Sequence, residues 1–171
     1  MNNLELAVSA RSVLCELATI THLKEPLMSK SVSAFFYGSF MRPDVMAQSA
    51  VNPAKVDVAK LSGYDIALDP HANIFPHPFA SVYGILVQVT HEELNRMYGV
   101  TGVGVFLPEA VLVTVNDTNW IPALCFMPPC RNELSPDQAY LDRLIEAAIL
   151  RGLPQDYIAR LKKFKRLEAT V

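Results

Sequence analysis

The sequence has few cysteines, and none of them lies in a metal-binding or redox pattern. Its three cysteines, Cys15, Cys125 and Cys130, are odd in number and widely spaced, and no CxxC pair occurs. This pattern indicates neither a zinc site nor a redox dithiol. The residues after Met1 contain neither a basic region nor a long apolar run, so we expect no secretory signal and a location in the reducing cytoplasm.

Long apolar runs and an excess of one charge are also missing. No apolar stretch approaches the length of a membrane span, so we expect no membrane partner. Charged residues make up 19% of the chain and the net charge is −2, which argues against a general nucleic-acid binder. The main basic run, Arg160 to Arg166, is interpreted as the solvated end of a terminal helix. No cofactor is indicated.

The chain has enough apolar residues to build one folded domain. Hydrophobic residues make up 51% of its 171 residues, which is typical of a globular protein with a core. Apolar residues recur at helical spacing from Leu4 to about His22, and Pro26 closes this segment. We therefore predict a helical extension over residues 1–30 and a domain over residues 31–171. The extension either completes the core or serves as an interaction element.

The stretch from Phe35 to Phe40 predicts a strand that runs into a tight turn. Two aromatic residues favour a strand, and Gly38-Ser39 then precedes a short helix that begins at Pro43. Gly38 has no Cβ, so its backbone can approach a ligand closely or adopt a positive φ. Turn amides that have no strand partner can point at an anion.

The middle of the chain is rich in strand patterns and its end in helix patterns. Gly84 lies inside an apolar strand, where it suggests close backbone approach or a bend. The order predicts an α+β fold with a small, mixed, mostly antiparallel β-barrel and flanking helices. The predicted elements are two strands within Lys55 to Asp69, a long loop from Pro70 to Pro78, a strand from Ala80 to Thr90, a helix capped by Thr90, strands at Leu107 to Val115 and Pro122 to Met127, a helix from Pro136 to Leu150 capped by Ser135, and a last helix after Pro154.

Three separated motifs resemble the γ-glutamylcyclotransferase-like family, which includes the avirulence-induced-gene-2-like (AIG2-like) proteins. The first is Phe36-Tyr37-Gly38-Ser39-Phe40, which is similar to the family's YGS turn. The second joins Val82-Tyr83-Gly84 to Thr90-His91-Glu92-Glu93-Leu94, like the family's V-x-G strand and T-x-E-E-L helix. The third is Ser135-Pro136, Tyr140 and Gly152-Leu153-Pro154-x-x-Tyr157, which resembles the family's ending.

The resemblance implies a barrel with a polar cavity for a small γ-glutamyl, amide or carboxylate ligand. It implies ligand-binding roles for the turn Tyr37, Gly38, Ser39 and Phe40, and for Tyr140. Family enzymes cyclise a γ-glutamyl group to 5-oxoproline, and a glutamate of an E-G pair moves the proton. In this chain that pair is Tyr98-Gly99, and a phenol with a pKa near 10 is a poor base. Phe106 stands near the place of another family tyrosine.

Another acid or base is therefore needed if the chain is a cyclotransferase. Glu109 is the nearest candidate: if it points into the cavity, burial raises its pKa and suits it to acid/base work. The alternative interpretation is an exposed strand residue. Asp69, His71 and His77 are weaker candidates, and the spacing of the two histidines does not suggest a metal site.

Three functions remain open at this point. The first is a cyclotransferase with a relocated acid, the second a non-catalytic binding or regulatory domain of the same fold, and the third an interaction module that forms a homodimer through its N-terminal helix. The substitution at Tyr98 favours the second over ordinary cyclotransferase activity. The retained turn and Tyr140 favour a small-molecule ligand.

Overall fold

The computed structural model describes residues 30–99, 105–129 and 135–165. The predicted N-terminal helix and two of the cysteines, Cys15 and Cys130, lie outside the described residues. No helix within these ranges is long and apolar enough to cross a membrane. The described elements, in chain order, are β1 (Ser31–Phe36), a 3₁₀ turn (Ser39–Met41), α1 (Pro43–Gln48), β2 (Val56–Leu68), β3 (Ala72–Thr90), α2 (His91–Tyr98), β4 (Leu107–Val115), β5 (Asn119–Met127), α3 (Gln138–Leu150) and α4 (Gln155–Lys162).

The five described strands form a closed barrel in the order β1-β3-β2-β4-β5. β1 and β5 run parallel, and the other ladders are antiparallel, so the predicted mixed and mostly antiparallel barrel is confirmed. Two of the ladders that close the barrel are short. The ladder between β1 and β5 pairs Ala34 with Leu124 and Phe35 with Cys125, and the ladder between β2 and β4 pairs residues 59 and 60 with residues 115 and 114.

Apolar side chains fill the interior of the barrel. Residues directly opposite each other in a ladder lie on the same face, which places Phe35 with Cys125 and Leu61 with Val82. All four are almost fully buried. Gly84 lies on this face, and a Cβ there would meet the Phe36 carbonyl oxygen and would lie 2.9 Å from Phe35 Cζ. The predicted close approach at Gly84 is therefore confirmed.

The region from Val56 to Thr90 differs from the sequence prediction. The predicted two strands are one strand, β2, because a bulge at Gly63, with φ of +83°, lets the strand continue past the predicted break. The predicted long loop from Pro70 to Pro78 is also wrong. A tight turn over residues 69–71 leads into β3. Residues 64–68 pair with residues 72–76 to form a two-stranded arm, which we call the β2–β3 arm. Pro76 pairs with Tyr64 there, at a position where a strand tolerates proline.

The helices begin and end close to the predicted residues. α2 starts with a capping box in which Thr90 accepts from the Glu93 amide and Glu93 accepts from the Thr90 amide, as the pattern predicts. The N-cap of α3 is Asp137, two residues after the predicted Ser135, because the Asp137 carboxylate accepts the Tyr140 amide at 3.0 Å. The 3₁₀ turn is tied to α3, since Arg151 Nε donates to the Met41 carbonyl oxygen at 2.6 Å.

Candidate functional site

The turn after β1 is built by its own backbone and anchored by Tyr37. The amide of Met41 donates to the Gly38 carbonyl oxygen, and the amide of Arg42 to that of Ser39, both at 3.0 Å. The buried Tyr37 side chain donates its hydroxyl to the Phe126 carbonyl oxygen of β5 at 3.0 Å. Burial raises the pKa of Tyr37 far above its ordinary value, so this hydroxyl stays protonated and holds the turn on the barrel.

Tyr140 of α3 reaches this turn. A Cβ at Gly38 would lie 3.0 Å from the Tyr140 hydroxyl oxygen, so glycine leaves the space that the hydroxyl occupies. Gly38 has φ of −116°, and its glycine is therefore required by space and not by a positive φ. Burial raises the pKa of Tyr140, while hydrogen bonds from the backbone of Ala72 and Ser39 and from the Ser39 side chain lower it.

The side chains of Arg143 and His71 stand beside Tyr140. Arg143 follows it by three residues on α3, which places both side chains on one face of the helix. The His71 ring lies at the tip of the β2–β3 arm, with its centroid 4.7 Å from that of Tyr140. The tip is held against α3, since the Asp137 amide donates to the Pro70 carbonyl oxygen at 3.0 Å.

Tyr98, which the resemblance places at the family's glutamate position, is surrounded by aromatic rings. Its ring stacks on Phe126 with centroids 4.0 Å apart and 12° between the planes, and it also contacts three further phenylalanines. We call these five rings the aromatic wall: Phe36, Phe40, Tyr98, Phe106 and Phe126. Burial raises the pKa of Tyr98 well above its ordinary value, so its hydroxyl can donate a hydrogen bond at neutral pH and cannot serve as a base.

The turn, Tyr140 and the aromatic wall meet at one cavity of about 450 Å³. The structure therefore brings together the residues predicted to bind ligand and the residue at the glutamate position. Of the described residues that line the cavity, none carries a carboxylate. Its lining includes Phe36, Tyr37, Gly38, Ser39, Phe40, His71, Tyr98, Phe106, Phe126, Tyr140 and Arg143.

Glu109 lies near the same end of the barrel but outside this lining. It pairs with Cys125 across β4 and β5, so its side chain leaves the sheet on the inward face. The side chain is exposed, and it does not belong to the described cavity lining. Burial raises the pKa of the Cys125 thiol, and the nearby Glu109 charge adds to this. The position agrees with the alternative interpretation, an exposed strand residue, and the catalytic role stays a prediction.

The remaining candidates lie on or beside the β2–β3 arm, where the Asp69 amide donates to the His71 carbonyl oxygen at 2.7 Å. His77 is exposed on the arm and Asp69 is buried next to its tip; neither lines the cavity, whereas His71 does. In the described part of the chain no three His, Cys, Asp or Glu residues are grouped so that they could hold a metal ion.

Sequence reasoning missed Arg143 and Phe126, which both line the cavity. Arg143 was recognisable, because its spacing of three from Tyr140 on a predicted helix puts it on the same face. Phe126 was not, because it follows Tyr37 by 89 residues and reaches the site through the pairing of β5 with β1.

The barrel and its cavity beside the turn define a γ-glutamylcyclotransferase-like fold. Solved structures with this fold include one named gamma-glutamyl cyclotransferase, with a TM-score of 0.69 and 20% identity over 83% of this chain and 92% of that chain. An uncharacterized protein from Homo sapiens has a TM-score of 0.66 and 22% identity, covering 82% of this chain and 92% of that chain. A glutathione-specific gamma-glutamyl cyclotransferase from yeast has a TM-score of 0.53 and 10% identity, covering 78% and 95%.

The second half of the chain also matches a family model at the level of sequence. Residues 81–161 match the model of the AIG2-like family. This match and the shared fold confirm the resemblance to the γ-glutamylcyclotransferase-like family that the sequence motifs indicate. No curated protein sequence matches the chain.

Proposed function

We propose that this γ-glutamylcyclotransferase-like protein binds a small γ-glutamyl or related amide or carboxylate ligand in the cavity beside the turn. The observation that carries the proposal is the meeting of Ser39, Tyr140 and Arg143 at one cavity of about 450 Å³. That volume lies in the range of small-molecule sites, about 300–1,000 Å³. A concave site with few polar groups in an apolar lining is typical of such sites.

The polar groups suit a carboxylate or carbonyl oxygen. The Arg143 guanidinium can donate two parallel hydrogen bonds to a carboxylate, which is the strong geometry for this pair. Tyr140 and Ser39 supply hydroxyl groups that donate to oxygen. The ligand's charged end is therefore proposed to lie at the α3 side of the cavity, between Arg143 and the turn.

The proposed binding function does not include the ordinary cyclotransferase reaction. That reaction needs a group that takes a proton from the α-ammonium and returns it to the leaving nitrogen. Tyr98 occupies the expected position, and its raised pKa keeps the phenol protonated at neutral pH. The described lining offers no carboxylate in its place. A binding or regulatory role is thus better supported than the ordinary cyclotransferase reaction.

A second candidate is cyclisation with His71 as the relocated base. His71 lines the cavity and contacts Tyr140, whereas Glu109 does neither, so the geometry favours the histidine. In this reaction a neutral His71 takes a proton from the α-ammonium, and the amine attacks the γ-carbonyl carbon. The γ-amide C–N bond then breaks, 5-oxoproline forms, and the proton passes to the leaving amine.

One experiment separates the two candidates. The purified protein is titrated calorimetrically with γ-glutamyl dipeptides and γ-glutamylamines, and 5-oxoproline is measured in the same samples. We expect binding without 5-oxoproline, and about tenfold weaker binding by Arg143→Ala, because a charge-assisted pair is lost. Lys163→Ala removes an exposed cation outside the lining and is the matched control.

The other outcomes are equally informative. Absence of binding across the whole panel overturns the proposal. Release of 5-oxoproline that is abolished by His71→Gln supports the second candidate, because the amide keeps the size of the side chain and cannot shuttle the proton. Release that survives this substitution and is lost in Glu109→Gln assigns the role to Glu109.

Two wider proposals rest on the sequence alone. We propose the cytoplasm as the location, because three cysteines that are odd in number and widely spaced fit a reducing compartment. We also propose that residues 1–30 pair two copies of the chain. Light scattering of the full chain tests the pairing, and a monomer at every concentration contradicts it.

A further inference from the structure

The aromatic wall is a cavity surface as well as a packing cluster. Its five rings, defined above, all line the cavity, and Tyr98 contacts each of the other four. Core aromatics such as Phe35 are 1% exposed, whereas Phe40, Tyr98, Phe106 and Phe126 are only partly buried. These rings therefore keep part of their surface toward the cavity, where a ligand can contact them.

The charges around the wall restrict what it can hold. A cage of rings also attracts an ammonium group by cation–π interaction. A cationic ligand here has no carboxylate partner in the described lining, and Arg143 repels it. A ligand with a carboxylate at one end and an uncharged planar group at the other can interact favourably with both Arg143 and the aromatic wall. The carboxylate pairs with Arg143, and the planar group stacks on the rings.

We infer that the aromatic wall binds a planar aromatic group of a ligand whose carboxylate is held by Arg143 beside Tyr140. The ligand class is a small aromatic carboxylate, and among γ-glutamyl compounds it is the conjugates of aromatic amines or aromatic amino acids. This inference rests on the proposed function for the place of the carboxylate. It adds the chemistry of the other end of the ligand, where the family's glutamate is replaced by Tyr98.

The test uses ligands in matched pairs, titrated calorimetrically into the full chain. The first pair is γ-glutamylanilide and γ-glutamylmethylamide. The second pair, 3-phenylpropionate and butyrate, carries no γ-glutamyl group, and 3-cyclohexylpropionate controls for size without planarity. We expect the aromatic member of each pair to bind about tenfold more tightly than its partner, and the phenyl acid to bind more tightly than the cyclohexyl acid.

Two variants locate the preference. Phe106→Leu removes one ring of the wall, and we expect it to reduce the preference for the aromatic member of each pair several-fold. Phe79→Leu is the matched control, because Phe79 is 95% exposed and lies outside the cavity lining. If both variants keep the full preference, the wall is not the aromatic site and the inference is overturned. Circular dichroism verifies that each variant is folded.

The pairs distinguish failure of the inference from failure of the proposed function. Preference for the phenyl acid with no binding of either γ-glutamyl compound supports the aromatic site and overturns the γ-glutamyl ligand. Equal binding within both pairs overturns the aromatic site. The titrations of the two γ-glutamyl compounds then decide separately whether the protein binds a γ-glutamyl ligand. Tighter binding of tetramethylammonium than of 3-phenylpropionate, or equal binding of the cyclohexyl and phenyl acids, also overturns the inference.

Discussion

Gly38 and Tyr140 depend on each other, although 102 positions separate them in the chain. The hydroxyl of Tyr140 occupies the volume that a side chain at Gly38 would need, and the backbone of Gly38 itself has an ordinary negative φ. The glycine of the turn is therefore explained by a partner that the turn sequence does not contain. This is why a Tyr-Gly-Ser motif alone indicates little, and gains meaning only with the matching tyrosine near the end.

We predict that Gly38→Ala destabilises the fold by about 1–2 kcal/mol, because its Cβ displaces the Tyr140 hydroxyl. In a Tyr140→Phe background the same change should cost about 1 kcal/mol less, since the oxygen is gone. Urea unfolding of the native chain, the two single variants and the double variant measures the coupling energy between residues 38 and 140. Tyr157→Phe, which removes another buried hydroxyl, is the control background. Strict additivity with Tyr140→Phe contradicts the direct contact.

Tyr98→Glu restores the family's acid but places it among phenylalanine rings. We expect a loss of about 2–4 kcal/mol at neutral pH, because an ionised carboxylate lacks a partner in the aromatic wall. The introduced carboxyl has a folded-state pKa raised above its unfolded value of about 4.3. The loss is therefore small below that pH and grows as pH rises through the folded pKa.

Urea unfolding of Tyr98→Glu at several pH values between about 4 and 8 checks this prediction against the unfolded pKa. Tyr98→Gln is the control, because glutamine has the size of the introduced glutamate and does not titrate in this range. A pH-independent difference between the two variants shows that the introduced carboxyl is solvated. Production of 5-oxoproline by folded Tyr98→Glu contradicts the view that the wall is unsuited to the family's reaction.

At the scale of elements, the start of α3 decides where Tyr140 and Arg143 point. Asp137 caps the helix, and its hydrogen bond with the Tyr140 amide holds its pKa below the ordinary value. We predict that Asp137→Ala lowers the melting temperature and weakens ligand binding, whereas Ser135→Ala, at the exposed position that the sequence predicts as the cap, changes neither. Thermal unfolding and calorimetry check both variants.

The contribution of Asp137 also has a defined pH dependence. Since its folded pKa is lowered, the stabilisation is present above the unfolded pKa of about 3.9 and is lost as pH falls through the folded value. Asp137→Asn keeps a capping oxygen and does not titrate, so its stability relative to the native chain should improve in acid. Parallel acid unfolding curves for the two proteins contradict this assignment.

The elements show where sequence patterns are sufficient and where they fail. Apolar alternation and the capping box predicted β3 from Ala80 and the start of α2, because both signals are local. The prolines of the arm predicted a loop, since proline disfavours central strands. That rule does not apply in an arm where Pro76 pairs with only one neighbouring strand. The sequence does not reveal which strands have a second neighbour.

At the scale of the whole molecule, the fold class was predictable and the site was predictable in part. The order of strands and helices, with three motifs, was sufficient for the mixed barrel, and the cavity joins the predicted turn, Tyr98 and Tyr140. The parallel pairing of β1 and β5 was not predictable, because it joins segments about 90 positions apart. Phe126 belongs to the wall through that pairing, so its role was hidden in the sequence.

We predict that a chain of residues 31–171 folds without residues 1–30. All ladders of the described barrel lie between Ser31 and Met127, so the shortened chain keeps every strand pairing. Its thermal unfolding should be cooperative, with a melting temperature within a few degrees of the full chain. Loss of the cooperative transition contradicts the predicted domain boundary and makes the first 30 residues part of the core.

The β2–β3 arm has a consequence for how such a site can diversify. The arm carries His71 at its tip, and its length is set by residues that take no part in closing the barrel. Removing two residues from each strand retracts the tip by about 7 Å and, because the side-chain period is two, leaves every remaining face unchanged. Insertions or deletions of two residues in each strand of the arm can therefore change which residue lies at the cavity rim, in evolution or by engineering, while the barrel stays intact.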